Sequence, residues 1–231
     1  MGESAVLMAA GMGTRMMPLT KTTPKPLIRV HGTPMIETMI DGLLQRQVER
    51  ICIVTGFLHN QFQYLAEKYP QAEILYNPYF ETQNNISSLY IARKFLAAGD
   101  CFICESDIYV KDLSIFQREL FSSCYYGRMQ EGYSDDWVFD LEEERIVRIG
   151  RGGTDTYNMT GIAFFKGADA LMLKEKIEDT YRTEKNRQMF WDEVVNANLD
   201  TLSMKVEPVE TGQLYEIDTV KELRALESST F

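Results

Sequence analysis

Two hydrophobic patterns alternate along the first half of the chain. Short apolar runs, rich in β-branched residues and closed by glycine or polar residues, are typical of buried strands. They predict strands at residues 5–8, 51–55, 73–76 and 101–104. Apolar residues at helical spacing predict helices at residues 34–48, 60–68 and 87–98. This alternation predicts an α/β fold with a mostly parallel central sheet that is covered on both faces.

The second half of the chain has a less regular pattern. It predicts an antiparallel pair at residues 137–140 and 145–149, strands at 160–165 and 201–206, and helices at 168–181, 188–196 and 219–226. No linker composition separates the two halves. We therefore predict one domain, residues 1–231, with a β-rich addition in the second half.

Composition narrows the classes of function. Hydrophobic residues make up 45% of the 231 residues, which is ordinary for a globular domain. The net charge of −10 argues against nucleic acid as a partner but not against small anions, which need only a few cations. No apolar run is long enough for a membrane span and no signal-peptide pattern is present, so we expect a cytoplasmic protein. The four cysteines are expected to be reduced and buried. The oligomeric state is left open, and a homodimer is compatible with the sequence.

A small-residue loop follows the first predicted strand, at the sheet edge where open α/β folds bind ligands. It contains Ala9, Ala10, Gly11, Gly13 and Thr14, whose backbone amides can approach phosphate oxygens closely. Neither a dinucleotide-binding pattern nor a P-loop pattern fits this loop, and a G-x-G string alone is weak support for a ligand site.

Two cationic residues follow the loop and strengthen the interpretation of the loop as a phosphate-binding site. Arg15 comes directly after it, and Lys25 lies between Pro24 and Pro26, which stiffen the backbone. Two fixed cations beside a cradle of amides suit a triphosphate.

Residues 8–27 resemble the signature of the nucleoside-triphosphate transferase family, which includes the sugar-1-phosphate nucleotidyltransferases. The matching segments are Gly11-Met12-Gly13-Thr14-Arg15, Pro18-Leu19-Thr20 and Pro24-Lys25-Pro26-Leu27, whereas Met8 stands where the family usually has Leu. The resemblance implies a Rossmann-like three-layer sandwich that binds a nucleoside triphosphate and Mg²⁺. It further implies a nucleotide-binding half at residues 1–110 and an acceptor-binding half at 111–231.

Acidic residues follow the predicted strand at 101–104. Strand alternation places Glu105 and Asp107 on one side and Ser106 on the other. A carboxylate at a strand end suits Mg²⁺, which prefers one or two carboxylates with phosphate oxygens and waters. The family resemblance assigns Asp107 as a metal ligand and Asp218 as a second candidate, although Asp218 could instead cap the following helix.

Both tryptophans of the chain lie beside carboxylates. Trp137 follows two aspartates, and Phe190 and Trp191 precede Asp192. An aromatic face with a nearby carboxylate is the usual site for a quaternary ammonium group. Spacing alone leaves open whether either tryptophan faces a ligand or packs in the core.

Segments across nearly the whole chain also resemble the bacterial CTP:phosphocholine cytidylyltransferases. They are residues 84–90, Asp107-Ile108-Tyr109, Trp137, Thr160-Gly161-Ile162, Trp191-Asp192 and Tyr215-Glu216-Ile217-Asp218. This resemblance implies an acceptor site at Trp137, Phe190, Trp191 and Asp192, and nucleotide contacts at Asn84 and Ser88. Phe190 stands where Tyr is expected, which leaves the choice of amine open.

The resulting hypothesis is a Mg²⁺-dependent transfer of CMP from CTP to phosphocholine, with Lys25, Arg15 and Asp107 as the catalytic residues. The alternatives are another phosphorylated amine acceptor (2-aminoethylphosphonate or phosphoethanolamine), a sugar 1-phosphate acceptor, or a catalytically silent nucleotide-binding regulator.

Overall fold

The computed structural model describes residues 2–229. The strands are β1 Ser4–Ala9, β2 Arg29–Val30, β3 Thr33–Pro34, β4 Arg50–Thr55, β5 Ala72–Tyr76, β6 Cys101–Glu105, β7 Ile108–Val110, β8 Cys124–Glu142, β9 Arg145–Phe165, β10 Lys205–Pro208 and β11 Leu214–Glu216. The helices are α1 Met35–Gln45, α2 Gln63–Lys68, α3 Ile86–Leu96, α4 Gly167–Arg182, α5 Trp191–Asn196 and α6 Val220–Ser228.

The main sheet has the strand order β10-β8-β9-β6-β1-β4-β5 within the described residues. Strand β1 is central and pairs in parallel with both β4 and β6. Strand β9 joins β6 in the antiparallel direction, so the β-rich addition extends the same sheet.

Helices cover both faces of the sheet. Side chains of β1 alternate between two cores: Leu7 belongs to the core that contains residues of α1 and α2, whereas Val6 belongs to the core that contains residues of α3, α4 and α5. Because both faces are covered, β1 reads as a continuous apolar run rather than an alternating one. The predicted three-layer α/β fold is confirmed. Of the helices in residues 2–229, none is long and apolar enough to cross a membrane.

The antiparallel pair is much longer than the pattern predicts. Strands β8 and β9 form a hairpin with several register shifts, in which Val138 pairs with both Gly150 and Asn158. Gly132 and Gly152 adopt positive φ values of 74° and 76° along it. Such bulges place successive side chains outside strict alternation, which is why the periodicity revealed only residues 137–140, 145–149 and 160–165 of these strands.

Two predicted boundaries are also corrected. The predicted strand at 201–206 begins only at Lys205. The predicted helix at 188–196 begins at Trp191, and a short 3₁₀ helix, Glu184–Gln188, precedes it.

Candidate active site

A small two-stranded sheet brings two distant carboxylates together. Strand β7 begins directly after Asp107, and β11 ends two residues before Asp218. The strands are antiparallel with Ile108 opposite Glu216. Asp107 and Asp218 therefore reach the same place although they come from opposite halves of the chain.

Lys25 lies between these two carboxylates. Its Nζ is 2.6 Å from Asp107 Oδ2 and 2.6 Å from Asp218 Oδ1, and the lysine is buried. Burial by itself disfavours the charged amine, but the two adjacent carboxylates outweigh it and raise the pKa of Lys25. Lys25 therefore carries its positive charge at neutral pH and offsets part of the negative charge of the pair.

Arg15 contacts the other oxygen of Asp218. Its Nη1 is 2.7 Å from Asp218 Oδ2, while 68% of its side chain is exposed. The Asp218 side chain is thus held by Lys25 and Arg15 and does not cap α6. Thr219 is the cap, because its side chain accepts from the backbone N–H of Glu222.

The glycine loop follows β1, and its two glycines have different surroundings. Gly13 has φ of 61°, and a Cβ at this position would lie 2.8 Å from Lys25 Cβ. The Gly13 carbonyl also accepts from Thr20 Oγ1 at 2.9 Å. Around Gly11 the space is open, with nothing within 4 Å of such a Cβ. Gly13 therefore fits the loop against Lys25, whereas Gly11 leaves backbone accessible.

Three adjoining cavities surround these residues. The first, here named the loop cavity, has a volume of about 270 Å³. It is lined by Met8, Ala9, Gly11, Gly13, Thr14, Arg15, Lys25, Pro26, Glu105 and Asp107. Six of the predicted nucleotide-binding residues lie here, together with the predicted metal ligand Asp107.

The second cavity, the amide cavity, measures about 180 Å³. It holds the remaining predicted nucleotide contacts, Ala10, Asn84 and Ser88. The sequence analysis missed Asn77, which is buried and donates to Ser87 Oγ at 2.9 Å and to Ser88 Oγ at 3.0 Å. Asn77 follows β5 directly. Its position at the end of a predicted strand could have identified it as a candidate site residue.

The third cavity, the aromatic cavity, is the largest at about 580 Å³. Its lining includes Trp137, Phe190 and Asp192 together with Arg15, Asp107 and Asp218. The rings of Trp137 and Phe190 are 5.7 Å apart in an edge-to-face arrangement. The structure therefore brings together three of the four predicted acceptor residues.

Trp191 is the exception, and its predicted contact with the acceptor is corrected. Its ring is 3% exposed and stacks on Tyr125 at 5.7 Å between centroids, with Phe165 at its edge. The ring belongs to the core beneath the cavity, because α5 points successive side chains in different directions.

Asp192 is a buried carboxyl at the base of the aromatic cavity. Tyr125 donates a hydrogen bond to Asp192 Oδ1 at 3.0 Å. Burial raises the pKa of Asp192 to about 7, although the bond from Tyr125 opposes that change. A cation in the cavity would stabilise the ionised form.

Glu105 lies where all three cavities meet. The predicted arrangement of residues 105–107 is confirmed, since Glu105 and Asp107 line the cavities whereas Ser106 is buried. Burial and the negative charges of Asp107 and Asp192 raise the pKa of Glu105 well above its ordinary value. Strand alternation predicted on which side of the strand Glu105 lies, but it did not predict that Glu105 lines all three cavities.

Comparison with known proteins places the chain in a family. Residues 4–120 match the family model described as nucleotidyl transferase. A 2-aminoethylphosphonate cytidylyltransferase of Lancefieldella rimae is 49% identical, over 97% of this chain and 92% of that protein. The choline-phosphate cytidylyltransferase of Streptococcus pneumoniae is 31% identical, over 96% of both chains.

Comparison with solved structures supports the same family. The solved structure of the CTP:phosphocholine cytidylyltransferase from Streptococcus pneumoniae superimposes with a TM-score of 0.90 and 30% identity, over 98% of both chains. The family resemblance seen in residues 8–27 is thus confirmed, and the chain belongs to the nucleotidyl transferase family.

Proposed function

We propose that this protein is a cytidylyltransferase that transfers CMP from CTP to 2-aminoethylphosphonate and releases pyrophosphate. The observation that carries the choice of acceptor is the lining of the aromatic cavity. Two aromatic side chains, Trp137 and Phe190, share it with the carboxylates Glu105, Asp107, Asp135, Asp136, Asp192, Glu216 and Asp218.

This lining suits a primary ammonium better than a quaternary one. A primary ammonium donates three hydrogen bonds and needs acceptors, whereas a quaternary ammonium donates none and relies on aromatic faces. Phe190 also has no hydroxyl and is 38% exposed, so the aromatic enclosure is incomplete. The greater identity with the 2-aminoethylphosphonate enzyme, 49% against 31%, supports the same choice. It replaces phosphocholine, which the sequence resemblance favoured.

The proposed reaction is a single displacement at the α-phosphorus of CTP. A phosphonate oxygen forms a bond to that phosphorus, and the bond from the phosphorus to the oxygen bridging to the β-phosphate breaks. The leaving pyrophosphate takes the electron pair of that bond. An ionised phosphonate is already a nucleophile, so positioning and charge neutralisation are the main requirements.

Lys25 and Arg15 supply that neutralisation in this proposal. Both line the loop cavity, and both are ion-paired with the aspartates. Triphosphate oxygens entering the cavity would exchange with the carboxylates as partners of these cations. Burial keeps Lys25 fixed, whereas the exposed Arg15 has room to follow the phosphates as they separate.

Asp107 and Asp218 fit Mg²⁺ as protein ligands. Their side chains are 27% and 22% exposed, so both reach the cavity. Residues 2–229 contain no group of three or more acidic, His or Cys side chains arranged for a metal. Mg²⁺ can take one or two carboxylates and receive its other ligands from phosphates and water, so two aspartates are enough as protein ligands. When bound, the ion would supply positive charge at the phosphates.

The test is pyrophosphate release with the purified protein. CTP, UTP, ATP and GTP are each combined with 2-aminoethylphosphonate, phosphoethanolamine, phosphocholine and glucose 1-phosphate. We expect the highest kcat/KM with CTP and 2-aminoethylphosphonate, and loss of turnover when EDTA removes Mg²⁺. A higher kcat/KM with phosphocholine or glucose 1-phosphate would reject the acceptor assignment, and full activity in EDTA would reject the metal.

A further inference from the structure

Glu105 is the one residue in the described part of the chain that lines the loop cavity, the amide cavity and the aromatic cavity. The loop cavity and the amide cavity have three lining residues in common: Met8, Gly11 and Glu105. Of these, only Glu105 carries a polar side chain. A carboxylate at this junction therefore faces whatever connects the contents of the two cavities.

In a nucleoside triphosphate, that connecting group is the ribose. The loop cavity carries the cations and backbone amides that suit phosphates, and the amide cavity carries the neutral polar groups that suit a base. With the phosphates in one cavity and the base in the other, the ribose must lie across their junction. Its hydroxyl groups would then be next to Glu105.

We infer that Glu105 accepts hydrogen bonds from the ribose hydroxyls and makes the enzyme selective for ribonucleotides over 2′-deoxyribonucleotides. The inference rests on the nucleotide part of the proposed function. Glu105 also lines the aromatic cavity, so nucleotide binding is tested without acceptor. It also accounts for a carboxylate beside a phosphate site, where its charge would otherwise be repelled. Hydroxyl donors compensate that repulsion, and 2′-deoxyribose lacks one of them.

Glu105 is held in place for this contact. Asn85 Nδ2 donates to Glu105 Oε1 at 3.3 Å, and Asn85 Oδ1 accepts from the backbone N–H of Trp191 at 3.0 Å. Within residues 2–229, no hydrogen bond is made to Glu105 Oε2, so this oxygen remains for a substrate. Asn85 is thus a positioning residue that acts through Glu105.

Gly161 leaves the room that the Glu105 side chain occupies. It has φ of 75°, and a Cβ there would lie 3.2 Å from Glu105 Cβ. The hydrogen bond from Asn85 positions the carboxyl group, and the missing side chain at Gly161 leaves space for the Glu105 side chain beside the cavities. A fixed acceptor discriminates more strongly, because it cannot turn to water when the substrate lacks the matching hydroxyl.

The test is nucleotide binding by calorimetry in the absence of acceptor, comparing CTP with 2′-deoxy-CTP. Wild-type protein is expected to bind CTP about 10–100-fold more tightly, the range for one hydrogen bond to a charged group. Glu105→Gln keeps the shape of the side chain but replaces one of its two acceptor oxygens by an amide nitrogen that only donates, and the ratio should fall to about threefold or less. Asp107→Asn is the matched control, because it should change the affinity for both nucleotides by the same factor and so keep the ratio.

A second measurement needs no variant. 2′-Deoxy-2′-fluoro-CTP fills the space of the hydroxyl but cannot donate, so it should bind wild-type protein as weakly as 2′-deoxy-CTP. Equal binding of all three nucleotides, or a Glu105→Gln variant that loses affinity equally for CTP and 2′-deoxy-CTP, would overturn the inference. If the protein prefers another base, the same ratio is measured with that ribonucleotide, so a wrong CTP assignment and a wrong ribose contact are distinguished.

Discussion

Lys25 Nζ lies 2.6 Å from Asp107 Oδ2, although 82 residues separate the two in the sequence. The predicted catalytic cation is therefore engaged by the predicted metal ligand. Substrate phosphates and a metal ion would replace this pairing by new ones, so both side chains would exchange partners when substrate binds.

Lys25→Met is expected to lower kcat by about 10²–10³-fold, which is typical of removing one group that stabilises developing negative charge. Lys21→Met is the matched control, because Lys21 is exposed in the same loop. Initial rates of pyrophosphate release measure the effect, with near-ultraviolet circular dichroism to verify folding. A folded Lys25→Met protein within tenfold of the wild-type kcat would contradict the role.

The two glycines of the loop should respond differently to alanine. Gly13→Ala places a Cβ against Lys25 in a left-handed backbone conformation, and we expect it to lower the free energy of unfolding by about 1–3 kcal/mol. Gly11→Ala has open space for the methyl group, so its stability should be unchanged while KM for CTP rises. Thermal unfolding and steady-state kinetics separate these effects. Normal KM for CTP in Gly11→Ala would show that the nucleotide does not approach this backbone.

The two tryptophans form another contrasting pair. Trp137→Ala should raise KM for the amine acceptor roughly 3–30-fold, corresponding to a cation–π contribution of about 0.5–2 kcal/mol, and should leave KM for CTP nearly unchanged. Trp191→Ala should instead lower the free energy of unfolding by about 3–5 kcal/mol, since its ring is in the core. Equal changes of both KM values in Trp137→Ala would argue against an acceptor role.

Acceptor binding should depend on pH through Asp192, whose pKa of about 7 controls the charge that faces the ammonium. The carboxyl becomes ionised as pH rises through 7, so KM for the acceptor should fall about tenfold between pH 6 and pH 8. Tyr125→Phe removes the hydrogen bond that favours the ionised form and should move this change to higher pH. An unchanged KM profile in Tyr125→Phe would exclude Asp192 as the titrating group.

Ionisation of Asp192 should also affect the stability of the protein. Rising pH should improve acceptor binding but lower the contribution of Asp192 to the free energy of unfolding. Its pKa in the folded protein lies above the ordinary value of 3.8, so the native state binds more protons than the unfolded state between these values. The contribution of Asp192 is fully present below about pH 4 and is lost as pH rises through about 7. Denaturant unfolding of Asp192→Asn across this range should lack that part of the pH dependence. A slope identical to that of wild-type protein would count against a buried, protonated Asp192.

The sequence predicted the parallel core well because one physical signal dominates there. Strands such as β1 are buried on both faces, and only an apolar run satisfies that environment. Most of the β8–β9 hairpin was missed because its bulges and exposed residues interrupt the alternation of apolar and polar residues that is typical of a strand. Predicted site residues at strand ends, such as Asp107, were easier to assign, since the end of a parallel strand fixes their location.

Contacts between distant parts of the chain were beyond what local patterns can show. Trp137 and Trp191 each lie next to acidic residues in the sequence. Even so, Trp137 lines a cavity whereas Trp191 stacks on Tyr125. Only the register of β8 and the orientation of α5 decide between them. Likewise, no spacing rule connects Asn85 with both Glu105 and the backbone of Trp191.

The bridge made by Lys25 also bears on refolding kinetics. Its two ion pairs span 82 and 193 residues, so they close long loops of the chain. Contacts of such high sequence separation form late, after the loop-closure entropy has been offset by other contacts. On dilution from denaturant, helical circular dichroism should therefore recover before enzymatic turnover, and the return of activity would report docking of the β11–α6 segment onto an already assembled sheet.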